Sequence, residues 1–264
     1  MLKPIRFQFF HSKTTTRNGW RALSILILGL LLTGMATYYT YTEVKNRVNQ
    51  DFTSVCNELK IKIISRLHAH AQLLRTASAL FAASDSVTRE AWKAFIDRSA
   101  IEKNLPGIQG VGYSIFIRQN QLQQHIENIQ KEGFTGYSVN PTGERDWYAP
   151  VIYLEPFSGS NLRAFGFDAF SEPIRRKAME LSRDSDIAML SGPVVLVQES
   201  QLDQQTGLVL YVPVYRKDMD INSVEQRRSA IQGWVYCPYR MNNLMSGILD
   251  QWDSKQLVLP LMLG

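Results

Sequence analysis

The chain has 264 residues, 45% of them hydrophobic, enough for one large or two small cores without disulfide or metal staples. Its formal charge of +5 lies in an acid-free leader holding Lys3, Arg6, Lys13, Arg17 and Arg21. Removing those five leaves 29 − 5 = 24 basic residues against 24 acidic ones. That balance excludes the basic footprint of a nucleic-acid binder and makes the excess a topology signal.

From Ala22 to Thr42 runs ALSILILGLLLTGMATYYTYT, roughly 21 uncharged residues where ~20 cross a bilayer as a helix. Trp20 flanks one end and Tyr38, Tyr39 and Tyr41 the other, as in interfacial aromatic belts. A cleavable signal peptide also pairs a basic start with an apolar run, but its core spans only ~7–15 residues and ends on small side chains. An uncleaved anchor is the expected reading. The basic leader then stays cytoplasmic, and everything after Thr42 lies outside the inner (cell) membrane.

Apolar residues next recur at helical spacing, at Val44, Val48, Phe52, Val55, Leu59, Ile63, Leu67 and Leu74. No Pro or Gly interrupts Val44 to Phe81, which predicts one long stalk helix. A partner helix in a homodimer or the chain's own domain would cover its stripe. A second helix is expected over Thr88–Ile101, capped by Thr88 or Asp85. Alternation in Leu105–Ile117 predicts a strand, Gln119–Lys131 a polar helix, and YSVNPTGERDWY a loop. Val151–Leu154 reads as a strand and Pro173–Arg183 as a helix with proline in its first turn. Strands follow at Pro193–Gln198, Gly207–Tyr215 and Gln232–Tyr236, then a helix at Met241–Leu249. Pro213 places an edge or a bulge near the end of its strand. Hairpins with helices to one side make an α+β fold. The apolar end DSKQLVLPLMLG carries no second anchor or output module, as expected of a fragment or truncated product.

Catalytic patterns are missing from the sequence. His68 and His70, two apart on a helix, point to different faces, and His11 and His125 are isolated, so no metal site is expected. No HExxH, CxxC, EF-hand or phosphate loop occurs, and SGS at Ser158–Ser160 lacks a nucleophile elbow. Neither an enzyme activity nor a cofactor is expected. Cys56 and Cys237 form either one bridge across a long loop or two unpaired thiols.

Asp168, between Phe167 and Phe170 in FGFDAFSEPIRR, is a carboxylate among aromatics and needs a donor, from the protein or from a ligand with N–H groups. It could instead cap the helix starting near Pro173 or pair with Arg163 or Arg175. Arg175 and Arg176 could clamp an acidic ligand, but adjacent helix positions diverge, so at most one faces a site.

The ordered set YAPVIYLEP, FGFDAFSEPIRR, SGP, LVQE, GLVLYVPVYR and GWVY resembles the CHASE domain over about Leu105–Met241. That family comprises extracytoplasmic sensors of bacterial and plant receptors. The resemblance implies a leader (1–21), a transmembrane helix (22–42), and a stalk with a second helix (43–104). A PAS-like, ligand-binding sensor subdomain (105–232) follows, then the start of a second, truncated membrane-proximal PAS-like subdomain (233–264). It further implies a small-molecule ligand, a homodimer through the stalk helices, and output in relatives through a histidine kinase or diguanylate cyclase. In plant receptors an aspartate matching Asp168 contacts the hormone ring, and an apolar residue matching Leu190 lines the pocket. Tyr148, Phe170 and Leu208 on the strand after Gly207 complete the expected walls. Taken alone, Leu190 reads as core, and Tyr148 as packing with its hydroxyl satisfied locally. The same fold serving as a structural ectodomain without ligand is the alternative.

Overall fold

A computed structural model of the chain describes residues 16–100, 108–198 and 205–249. It divides into two compact units, residues 1–59 with 255–264, and residues 60–254. Helix α1 (Thr16–Ala83) supplies its residues up to Leu59 to the first unit and the rest to the second. In the first unit its apolar side chains are exposed, including Leu26, Leu30, Leu31 and Met35. Among the described residues this one helix is long and apolar enough to cross a membrane. Thr33, Thr37 and Thr40 each return their hydroxyl to a carbonyl one turn back, so they add no unsatisfied donor to that face.

The second unit is built on an antiparallel sheet. Its strands are β1 (Val111–Ile115), β4 (Val151–Glu155), β5 (Met189–Leu190), β6 (Val194–Val195), β7 (Thr206–Tyr215) and β8 (Ile231–Arg240). The order is β4-β1-β8-β7-β5, with β6 also on β7. A separate pair joins β2 (Ile117–Arg118) to β3 (Trp147–Tyr148). The helices are α2 (Arg89–Ser99), α3 (Gln119–Lys131), α4 (Pro173–Ser185), α5 (Val224–Ala230) and α6 (Met241–Leu249). The mixed α+β class is as expected.

Several local signals act as anticipated. Thr88 caps α2 by accepting from Ala91 N–H at 3.2 Å. Pro173 opens α4, where its missing N–H leaves no bond unmade. Strand β5 reaches β7 only at Leu210 and Tyr211, so Pro213 meets no strand on that side, and a bulge follows at Val214/Tyr215. Helix α5, by contrast, is not among the expected elements; Ser223 and Gln226 close a capping box over a short polar segment with little apolar periodicity.

One expectation is corrected. Residues Gly233–Arg240 do not begin a second subdomain. They belong to β8, the strand between β1 and β7, and are buried on both faces. Of the expected 233–264 segment, residues 250–264 lie outside the described residues. Of the two alternatives for the cysteines the structure shows unpaired thiols: Cys237 is fully buried on β8, Cys56 is exposed on α1, and both are free. Burial pushes the Cys237 thiol up, so it behaves as a small apolar side chain.

Strict alternation gives the sheet two differently furnished faces. On one, Tyr113 stacks on Phe81 of α1 at 4.2 Å and packs with Tyr153, which meets Trp92 of α2. Leu74, Ala77 and Phe81 are buried there, so the end of the stalk stripe is covered by its own domain. Ser78 Oγ donates to the Pro213 carbonyl at 2.8 Å, and His70 Nδ1 lies 3.0 Å from the Tyr239 hydroxyl. On the other face, Trp234 donates its indole N–H to Met179 O and Ser182 Oγ, both at 3.0 Å, pinning α4. Phe116, Phe170, Tyr211 and Tyr236 share that core.

Burial, with Arg66 adding to it, lowers the His70 pKa from 6.5 to about 4, and burial alone does the same to His125. The unfolded chain therefore binds protons that the fold excludes between those values. Stability is full above about pH 6.5 and declines as pH falls toward 4. Thermal melts at pH 7 and pH 4.5 should differ by about 2 kcal/mol or more from these two residues. His70→Gln should remove roughly half of that difference; a stability flat across this range would contradict the assignment.

Candidate functional site

Asp168 sits at the centre of a backbone latch. Its N–H donates to Asn140 O at 2.6 Å, and Ala169 N–H donates to Ala149 O at 3.1 Å, threading residues 166–169 between two neighbouring segments. Gly166 makes this possible with φ +81°, at a point where a Cβ would strike the Ser138 carbonyl. The Asp168 side chain is fully buried and accepts three protein donors. Ala149 N–H and Phe170 N–H reach Oδ1 at 2.7 and 3.1 Å, and Arg145 Nε reaches Oδ2 at 3.0 Å. Burial pushes its carboxyl above the usual carboxylate range, and those donors offset part of the shift. The aspartate does lack water, as its aromatic neighbours imply, but the protein itself supplies the donors. Its partner is Arg145, not Arg163 or Arg175, and the helix it caps is the short 3-10 turn Ala169–Ser171. Glu172 caps α4.

Tyr148 belongs to the same latch. Its hydroxyl donates to Gly143 O at 2.8 Å and accepts from Arg145 N–H at 2.9 Å, and the Arg145 guanidinium lies 4.8 Å from its ring centre. Phe170 packs against Phe116 and Trp234 in the core.

A small cavity of about 10 Å³ lies beside the latch, on the sheet face that carries Tyr211 and Tyr236. It is narrow, leaving room for about one water-sized sphere. Phe167 and Ala169, the neighbours of Asp168, line it, with Val151, Ala164 and Val197. Its polar members are Arg175, Gln198, Tyr211 and Tyr236, all nine-tenths or more buried. Arg175 Nη2 donates to Val195 O at 2.9 Å, while Arg175 Nε and both tyrosine hydroxyls have no hydrogen-bond partner. Burial raises the pKa of both phenols; the nearby Arg175 charge opposes this, yet forms no well-aligned hydrogen bond with either. Three orphaned polar atoms around one cavity are the mark of a site that something else completes. Gly112 contributes from β1, since a Cβ there would collide with the Tyr236 phenol.

Register decides which strand residues take part. Leu190 pairs with Leu210 and Leu208 with Tyr239, which places both on the α1 face, away from the cavity. Val209 and Tyr211 occupy the cavity side. The strand after Gly207 therefore borders the cavity through its odd-numbered residues. Of the adjacent arginines, Arg175 turns inward, whereas Arg176 donates its Nε to Phe170 O at 2.7 Å. The signal that could have found this site is an arginine one turn into α4 facing two tyrosines on paired strands, but Tyr211 and Tyr236 are 25 residues apart and only the β7–β8 pairing brings them together.

Residues 85–262 match the CHASE domain. The chain belongs to the CHASE domain family. A curated relative, hybrid signal transduction histidine kinase A of Dictyostelium discoideum, is 22% identical over 255 residues, covering 89% of this chain and 11% of that protein. This CHASE chain thus spans about a tenth of that relative. Among solved structures, the ligand-binding domain of the Pseudomonas aeruginosa PAO1 amino-acid chemoreceptor PctC in complex with GABA is similar. It shares 11% identity and a TM-score of 0.42, over 73% of this chain and 63% of that one.

The latch predicts a stability phenotype for the CHASE domain. Asp168→Ala strands a half-buried guanidinium and two N–H groups and should cost about 2–3 kcal/mol in thermal or urea unfolding. Asp168→Asn keeps an acceptor and should cost about half as much. A wild-type melting curve for Asp168→Ala would show that the latch is not structural.

Proposed function

We propose that this chain is the sensor part of a membrane-anchored receptor and that a small molecule binds in the Arg175–Tyr211–Tyr236 cavity. The observation that carries this reading is the trio of buried, unpartnered polar atoms on a largely apolar wall. Membership of the CHASE family supports it, as does the helix long enough to span a bilayer. In this reading the basic leader is cytoplasmic, the anchor crosses the inner membrane, and the sheet domain lies outside. The chain itself performs no catalysis; output belongs to a histidine kinase or diguanylate cyclase elsewhere in the full-length receptor, and the stalk helices pair in a homodimer.

The sheet offers a route from ligand to stalk. Tyr236 faces the cavity and Tyr239, on the opposite face of the same strand, contacts His70 of α1. A ligand that moved β8 would be felt by α1, and it would shift the receptor only by its differential affinity for the two positions. Asp168 serves this site indirectly by holding Phe167 and Ala169 in the cavity wall.

The narrowness of the cavity favours a second reading, a structural ectodomain whose tyrosines close the space without a ligand. Thermal unfolding of the full chain in detergent micelles against a metabolite library separates the two. A sensor gains melting temperature by mass action from at least one compound, and Arg175→Gln abolishes the gain. A library that leaves the melting temperature unchanged throughout would favour the structural reading.

A further inference from the structure

If the chain is a sensor, the donors around its cavity also specify the chemical class of the ligand. The orphaned Arg175 Nε can only donate, and a phenol hydroxyl donates as readily as it accepts. Among the described residues no carboxylate lines the cavity. Glu172 Oε2 lies 3.9 Å from Arg175 Nε, too far for a hydrogen bond. Both Glu172 oxygens are also occupied, Oε1 by Ile174 N–H at 3.0 Å and Oε2 by Arg175 N–H at 2.9 Å. The positive charge of Arg175 is thus buried, faced by the Phe167 ring at 5.2 Å and by an acid only at 3.9 Å, and flanked by two hydroxyls with nothing to donate to. A neutral carbonyl would accept the same hydrogens but leave that charge unanswered. A carboxylate answers both needs, because two oxygens offer about four acceptor sites and one negative charge.

The remaining walls limit what the carboxylate can carry. Val151, Ala164, Phe167, Ala169, Val197 and Pro238 are apolar, Gln198 adds one neutral amide, and among the described lining residues there is no second cation. A second carboxylate, or a phosphate dianion, would enter without a partner. The space as it stands holds about one water-sized sphere, so a ligand enters only as the surrounding side chains move apart, and a short chain asks least of them.

We propose that the ligand of this cavity is a small monocarboxylate with a short aliphatic tail, its carboxylate held by Arg175 Nε and by the Tyr211 and Tyr236 hydroxyls. This assignment rests on the sensor reading. Arg175 supplies the charge, and the tyrosines fix the oxygens and tell a carboxylate from a halide. Propionate and butyrate are the natural probes.

The test is thermal unfolding of the full chain in detergent micelles at pH 7.5 with sodium propionate or butyrate. The comparison compounds are butyramide, succinate and inorganic phosphate at matched ionic strength. At one hundred times the dissociation constant, a monocarboxylate should raise the melting temperature by about 5–10 °C, and the others should leave it unchanged. Tyr211→Phe and Tyr236→Phe delete hydroxyls that are unpartnered without ligand, so each should melt no lower than wild type yet bind about tenfold more weakly. Those two variants keep the question open to disproof even if Arg175→Gln fails to fold. Butyramide matching butyrate would overturn recognition of charge. A rise from another compound class that still depends on Tyr211 and Tyr236 would overturn the monocarboxylate assignment while leaving the sensor reading intact. Silence from every compound, the wider library included, would remove both.

Discussion

The pairing of β7 with β8, from Gly207 opposite Arg240 to Tyr215 opposite Ile231, is the interaction on which the rest of the second unit depends. It sets Tyr211 beside Tyr236 on one face of the sheet and Leu208 beside Tyr239 on the other. Because side chains alternate strictly along a strand, slipping this register by one residue would exchange the furnishings of the two faces. The cavity would lose both hydroxyls and α1 would lose its contact with Tyr239. Cavity and stalk contact are therefore two consequences of one ladder, which gives the domain a physical basis for coupling them.

The latch around Asp168 works on a different principle. It is a local network in which one buried carboxylate satisfies two backbone N–H groups and one guanidinium, and a glycine at positive φ allows the backbones to approach. Such a network is intolerant of losing any member. It secures Phe167 and Ala169 as cavity walls while keeping the carboxylate itself away from the cavity. A residue can thus matter to a binding site, and be expensive to change, without touching what binds there.

The elements with strong local signals are legible in the chain. Gln119–Lys131 and Met241–Leu249 appear with the expected bounds, because apolar spacing and caps act within one or two helical turns. Pro173 and Pro213 carry their meaning through the missing N–H, a property independent of tertiary context. Helix α5 is not legible, since a capping box over a polar segment leaves little periodic trace. The strand at Gln232–Tyr236 is recognisable as a strand, but its place in the sheet is not. Its partners, β1 and β7, are respectively remote and separated from it by α5, and no local pattern announces a strand that inserts between two others.

By itself the sequence determined the α+β class, the long helix and the aromatic surroundings of Asp168, through composition and short-range periodicity. Arg175 was visible as one of two arginines that could meet an acidic ligand, though not which of the two. Only the tertiary structure decided that Arg145 answers Asp168, that Arg175 turns inward while Arg176 binds a carbonyl, and that Tyr211 and Tyr236 share a wall while Leu190 and Leu208 do not. The reason is one of range. Helical spacing and caps are settled within a few residues, whereas the choice of partner for a buried charge and the facing of a strand are set by the packing of segments far apart in the chain.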